Sequence, residues 1–424
     1  MKKRISILLA GAMVFCALPA GASETVPAAA DTPCAAEAAD GSGEGTQTAV
    51  RLSLKDAIVL MQTAGSRAET AEINKRADIA LAEGYSETYR SIDEVLAGID
   101  RISKMESAGY PSSVIESYTG YGSSVAASAA ARNAGATGLN KKITAMRRDF
   151  AKNQIGNNYQ AEMNQIEYET VQVYYSVLLA EDNLDIARDN VKAKQDILKD
   201  TENMKKMGMV ANKEVLAAKA ALAGAESEAQ AAETALEKAG MGLNFLLGYP
   251  VLSEVDLTDQ LTEIQAPSVT LEDAVAGALA GRNEIKGAVF AAEVYKMLLD
   301  NVKVRYPEGS ATYLNQQVAY LSARKTAADA PKKIDIDIRY QYSALADKKE
   351  ALRKAKATLD YAEEGYRLTK LSYSVGMSTL ADVQDMQVTR YKAGLGASAA
   401  VMDYDLAVYA FKYASSIGTS RLPL

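Results

Sequence analysis

The chain has 424 residues, 48% of them hydrophobic, which is enough for a large buried core, yet it holds only five Phe and no Trp. Its charge is acidic, 47 Lys and Arg against 54 Asp and Glu for a net −7, and this argues against nucleic acid as a partner. There is no histidine, which excludes Ser-His-Asp and Cys-His chemistry and any imidazole metal site. With no phosphate loop or metal cluster visible either, the chain reads as a non-enzyme without a cofactor.

Residues 1–22 read as a secretory signal peptide. Lys2, Lys3 and Arg4 precede an apolar run, and Ala20, Gly21 and Ala22 form a cleavage box. The run is short for a membrane span. Cys16 lies inside this segment, which leaves Cys34 alone and predicts no intrachain disulfide in the mature chain. The expected location is the cell envelope. Residues 23–50 are rich in Ala, Gly, Thr, Pro and Glu and read as a disordered leader.

Residues 52–105 predict a long helical stretch, weakened locally at Gly65 and Gly84. Within it Tyr85, Tyr89, Ile92, Leu96 and Ile99 alternate by four and three, which is coiled-coil spacing. Residues 107–140 break the pattern with Gly109, Pro111, Gly120, Gly122, Gly135 and Gly138; residues 114–121 are the one strand-like run there. Residues 141–207 predict a second long helix, about 100 Å if unbroken, with a bend expected at Gly156. Residues 213–247 form its return. Residues 249–268 are a linker between Pro250 and Pro267. A second repeat opens at Leu271, and its first helix ends before Pro307. Residues 309–330 read as turn plus a helical piece around 314–323. Residues 334–374 and 379–417 form a second hairpin, and 419–424 a tail. The alternation IDIDIRYQY at 334–342 resembles a strand, but Ile334, Ile338, Tyr342 and Leu345 also satisfy helical spacing, so it is assigned to the helix.

The two hairpins are copies. Gly208, Met209 and Val215 recur as Gly376, Met377 and Val383, 168 residues on. Upstream, Val177, Leu184, Val191 and Leu198 recur as Leu345, Leu352, Leu359 and Tyr366, each set at seven-residue intervals. A sustained spacing of seven means a left-handed coiled seam, and two copies mean internal duplication. The turns are short, so each pair of helices folds back as an αα-hairpin. Gly376 can take the left-handed conformation that ends a helix. Ser378 or Thr379 can cap the next helix, with Asp382 in its first turn.

The tips YSVGMSTLADVQD and KMGMVANKEVLAAKAAL resemble the paired hairpin tips of the TolC family, the outer-membrane factors of bacterial efflux pumps and type I secretion. LSLKDAI at 52–58 and VTLEDAV at 269–275 resemble that family's repeat openings, Arg282 falls at its characteristic arginine, and LLGYP at 246–250 resembles the end of its first repeat. The resemblance spans about 52–418. It implies a mainly α fold of long antiparallel coiled helical hairpins, in repeats at 51–248 (tip near 208–212) and 269–418 (tip near 376–379), joined by an equatorial segment at 249–268. It implies a homotrimer whose hairpins close into an α-barrel that docks on a membrane-fusion adaptor serving an inner-membrane pump.

For individual residues, the resemblance places Asp382 and Asp385 at the pore constriction. It makes Tyr373 and Glu214 a gate link between hairpins. It makes Gly208, Met209, Val210, Gly376, Met377 and Ser378 the adaptor-docking tips. The plainer readings are helix capping for the acids, a seam position for Tyr373, and turn stereochemistry for the tips. The sequence departs from the family at Ser378, where the family's prototype has Arg, in the unequal lengths of its two repeats, and in its strands. Strands for a transmembrane β-barrel would fall at 107–140 and 306–333, and neither shows two clean alternating segments. Little or no β-barrel is therefore expected. An exported coiled-coil scaffold or spacer that conducts nothing is the competing function.

Overall fold

The computed structural model describes residues 50–424. The predicted signal peptide and all but the last residue of the leader lie outside the described residues. Almost all of the rest is helical, and the described strands are β1 (Val50–Leu52) and β2 (Val255–Leu257), paired in parallel. The helices in chain order are α1 (Leu54–Thr63), α2 (Ser66–Ser107), α3 (Ser112–Thr119), α4 (Ser124–Asn133), α5 (Gly138–Lys206), α6 (Asn212–Leu247), α7 (Leu271–Gly281), α8 (Asn283–Lys303), α9 (Ala311–Ser374) and α10 (Leu380–Ala414). The expected mainly α fold with two repeats of long hairpins, α5 with α6 and α9 with α10, is present.

The chain divides into two units, residues 89–142 and residues 50–88 with 143–424. In the first unit the end of α2 packs with α3, α4 and the first turn of α5. Ile102, Ile115 and Ala127 form one small core, and Ile92, Ala131 and Ala136 another. Ser123 caps α4, and Glu106 binds its first residue Ser124 through both backbone and hydroxyl; those bonds hold the Glu106 carboxyl below its usual range.

The second unit holds the duplicated cores, and the 168-residue offset predicts which side chains face inward. Ile166, Val177, Leu236 and Leu243 meet α1 and α2 at Ala57, Met61 and Ala71. Their counterparts Ile334, Leu345, Tyr404 and Phe411 meet α7 at Ala274 and Ala278. A third core joins the hairpins near their tips: Ala193, Ile197 and Met204 of α5 and Ala218 of α6 against Tyr366 and Tyr373 of α9 and Leu380 and Val383 of α10. Each fully buried Leu, Ile or Val in such a seam contributes about 1.5–3 kcal/mol.

Three local expectations are corrected. The strand-like run at 114–121 lies mostly in helix α3, capped by left-handed Gly120. The turn-plus-piece reading of 309–330 gives way to one 64-residue helix, α9, running through Pro331. A proline inside a helix removes one hydrogen bond and costs about 3 kcal/mol. Here burial of Tyr313 before it and of Ile334 and Ile338 after it offsets that cost. Finally, the first helices of the repeats are broken, at Ala64 and Gly65 and at Arg282, the latter an extended residue between α7 and α8. The Arg282 side chain is nearly buried and pairs with Asp337 at 2.7 Å and Glu284 at 3.8 Å.

Candidate functional site

Both hairpin turns leave their first helix in the same way. After α5, the Gly208 amide donates to the Lys205 carbonyl at 2.9 Å and the Met209 amide to the Met204 carbonyl at 2.9 Å. After α9, Gly376 donates to Tyr373 at 3.0 Å and Met377 to Ser372 at 2.9 Å. This crossed pair of bonds is the Schellman ending, and it requires a left-handed residue; Gly208 has φ +75° and Gly376 φ +77°. That geometry leaves Met209 and Met377 in solvent, 56% and 83% exposed.

The two turns are neighbours. A Cβ placed on Gly376 would stand 4.0 Å from the Met209 methyl. Between them runs an open groove whose wall includes Met204, Met209, Val210, Glu214, Tyr373 and Ser378. The residues singled out at the tips therefore come together in space, and methionine is suited to such a surface because its thioether side chain repacks against varied partners.

Tyr373 and Glu214 share this groove, but the phenol bonds elsewhere. The Tyr373 ring is buried and its hydroxyl lies 3.0 Å from Thr201 Oγ1. The Thr201 hydroxyl already donates to the Ile197 carbonyl at 2.8 Å, so Tyr373 is the donor. Within the chain Tyr373 is a seam residue that ties α9 to α5. Glu214 sits half-buried in the first turn of α6.

The two acids of α10 differ. Asp382 closes a capping box: its amide donates to Thr379 Oγ1 at 3.2 Å, while its carboxylate accepts the Thr379 amide at 2.8 Å and hydroxyl at 2.8 Å. The backbone and then the hydroxyl bond hold its carboxyl below the usual range. Asp385 is also exposed but has no part in the cap. It contributes to the field at Lys194 of α5, a lysine only 5% exposed whose pKa burial pushes down, against Glu228 first and Asp385 second. A polar layer lies alongside, in which Gln387 Nε2 donates to Asn190 Oδ1 at 3.1 Å and Asn190 Nδ2 to Glu228 at 3.4 Å.

The linker is fixed by two acids, Asp259 and Asp405, that no sequence pattern singles out. Asp259 accepts the Leu54 amide at 2.7 Å and the Tyr174 hydroxyl at 2.9 Å. Asp405 of α10 is fully buried and accepts the Ile264 amide at 3.1 Å; burial pushes its carboxyl up to about 6, against the bonds from Ile264 and Tyr175. Each stands among other acids, Asp256 near Asp259 and Asp403 near Asp405, and no local pattern marks which of them holds the linker.

The sequence matches no protein-family model and no curated protein. Among solved structures the chain is similar to the channel protein CusC, with 12% identity, a TM-score of 0.61, and 86% of this chain and 92% of that one covered. It is similar to the CmeC outer membrane channel of Campylobacter jejuni (14% identity, TM-score 0.52, coverage 67% and 69%). It is also similar to the outer membrane protein VceC of Vibrio cholerae (13% identity, TM-score 0.51, coverage 66% and 77%). The chain therefore has the long-hairpin helical fold of these outer membrane channels.

Proposed function

We propose that this chain is the exit duct of a tripartite efflux or type I secretion assembly, a passive helical tunnel and not an enzyme. Three copies, each supplying two unequal hairpins, close into a ring of pseudo-sixfold character. The ring sits in the cell envelope and receives a periplasmic adaptor at its tips, while an inner-membrane pump supplies the energy. The observation that carries this reading is the pair of adjacent turns with the same Schellman ending and exposed methionines, 168 residues apart. A soluble monomer has little reason to duplicate two exposed apolar turns and set them side by side. On this reading Gly208, Met209, Val210, Gly376, Met377 and Ser378 meet the adaptor, Asp382 and Asp385 face the path, and Tyr373 and Glu214 flank the joint between hairpins.

A second reading, an exported coiled-coil scaffold or spacer, is favoured by a separate observation. Among the described residues the intervals 107–140 and 306–333 are helix and turn, where barrel strands would lie. Light scattering and planar-bilayer current on the mature protein separate the two. A trimer that conducts supports the duct, a trimer that never conducts supports the scaffold, and a monomer at micromolar concentration sinks the ring on which the duct depends.

A further inference from the structure

After α10 the chain runs back over the second unit in a groove lined by buried amides. Asn164 Nδ2 donates to the Gly418 carbonyl at 3.0 Å, and Asn283 Nδ2 to the Ser420 carbonyl at 3.3 Å. Asn158 grips both backbone groups of Leu422: its Oδ1 accepts the amide at 3.0 Å and its Nδ2 donates to the carbonyl at 2.9 Å. Asn158 and Asn283 are each 1% exposed. Buried side-chain amides aimed at backbone groups outside any helix or sheet do the work of a neighbouring strand. They are themselves oriented, since Gln154 donates to Asn283 at 2.6 Å and Asn158 also donates to Asp78 at 2.9 Å.

Side chains add selectivity. Arg421 pairs with Asp78, a buried carboxylate of α2, and with Glu162 of α5 at 3.2 Å. Leu422 fills a notch that exists because residue 287 is glycine; a Cβ there would fall 2.7 Å from Leu422 Cδ1. Gly277 and Gly281 likewise bare α7 to the carbonyls of Ser415 and Ser416, which would stand 2.9 and 3.2 Å from an added Cβ. Three helices drawn from both repeats, α2, α5 and α8, thus converge on one short peptide, and α7 meets the turn that leads into it.

We infer that this groove is a peptide-binding site, selective for a non-helical segment with Arg followed by an apolar residue, and that the chain's own 418–424 segment occupies it as a clasp between the first and second repeats. The inference stands apart from the duct reading. An Arg421 side chain withdrawn from the groove leaves Asp78 buried without its counter-charge, so the site discriminates strongly against a peptide lacking that arginine.

The test uses the mature chain shortened to end at Ile417 and a fluorescent peptide of sequence GTSRLPL. The shortened chain should bind the peptide one to one, and the Arg421→Ala peptide should bind at least tenfold more weakly. A folded shortened chain that ignores the peptide, or that binds both peptides equally, overturns the proposal. Should the shortened chain fail to fold, the full-length protein decides. Trypsin should cut after Arg421 at least tenfold more slowly in the wild type than in Asp78→Asn, which keeps the shape of the carboxylate but not its charge. Equal cutting of the two overturns the clasp.

Discussion

The two hairpin tips end one helix identically and begin the next differently. At the second tip Thr379 caps α10 and Asp382 returns the bond, so the turn is closed by its own residues. At the first tip the equivalent positions are Ala211 and Glu214; alanine has no hydroxyl, and α6 starts with no side-chain cap. What spans that turn instead is Lys205 Nζ donating to Asn212 Oδ1 at 2.6 Å. Duplication kept the glycine, whose stereochemistry has no substitute, and let the cap diverge, since capping is worth only about 1 kcal/mol. The second tip is thus locally determined, and the first leans on a long exposed lysine.

The largest expected effects test the shared half of this comparison. Gly376→Val should cost about 2 kcal/mol or more, because a β-branched residue resists positive φ. Gly208→Val should cost about the same, since its φ of +75° matches the +77° of Gly376, and the Met209 methyl 4.0 Å from the Gly376 Cβ is an ordinary contact. Lys392→Gln, an exposed change, should stay within about 0.5 kcal/mol. Denaturant midpoints read all three; a Gly376→Val protein as stable as Lys392→Gln would mean that the turn does not need its left-handed residue.

The next effect tests the divergent half. Thr379→Ala should cost about 1 kcal/mol, and Ala211→Thr, which rebuilds a capping box with Glu214, should gain about 0.5–1 kcal/mol. The backbone at Ala211, φ −82° and ψ 159°, already suits a cap. The Asp382 carboxyl is held below its ordinary value of 3.8, so its contribution is present above that pH and lost as pH falls through the lower folded value. Thr379→Ala should therefore flatten the acid limb of the stability curve. An unchanged acid limb would show that Thr379 does not hold the carboxylate.

A smaller effect belongs to Tyr373. Tyr373→Phe loses the bond to Thr201 but leaves the Thr201 hydroxyl on Ile197, so the cost should be about 0.5–1.5 kcal/mol. The equivalent position in the first tip is Lys205, and Lys205→Met should change the midpoint by less than about 0.5 kcal/mol. A reversed order would mean that the first tip, not the second, is the firmly built one.

What was legible in the sequence was what chemistry allows few residues to do. A Schellman turn needs its glycine, a coiled seam needs its sevenfold spacing, and a capping box needs Thr and an acid three residues on. Hence Gly208, Gly376, Thr379 and the heptad cores stand out, and IDIDIRYQY reads as helix because Ile334, Ile338, Tyr342 and Leu345 keep the seam's spacing. The unbroken helix through Pro331 was not legible, since the local cost of that proline is outweighed by burial at Tyr313 and Ile338, residues far along the helix. The parallel pairing of Val50–Leu52 with Val255–Leu257 and the Arg421–Asp78 contact join segments over two hundred residues apart, and no local pattern announces them.

The smallest effect on stability, and the sharpest on the proposed duct, concerns the acids. The equivalent of Asp385 in the first repeat is Ala217, so the hairpin tolerates a methyl there, and Asp385→Ala should leave the midpoint unchanged. Asp382 and Asp385 are three residues apart and share one helical face. If three copies turn that face inward, six carboxylates confront one another, favour cations over anions, and offer a seat to a multivalent cation. The two should not count equally. Asp382 is ionised near neutral pH, since the cap holds its carboxyl low, and the Lys194 ammonium attracts Asp385, which weakens the field that Asp385 lends to the path. Asp382→Asn should therefore weaken cation preference more than Asp385→Ala, and the double variant should lose block by a trivalent cation. Single-channel currents decide the matter. A conducting wild type without cation preference, or a double variant that keeps both preference and block, would take this face of α10 out of the conducting path and leave Asp382 as a helix cap alone.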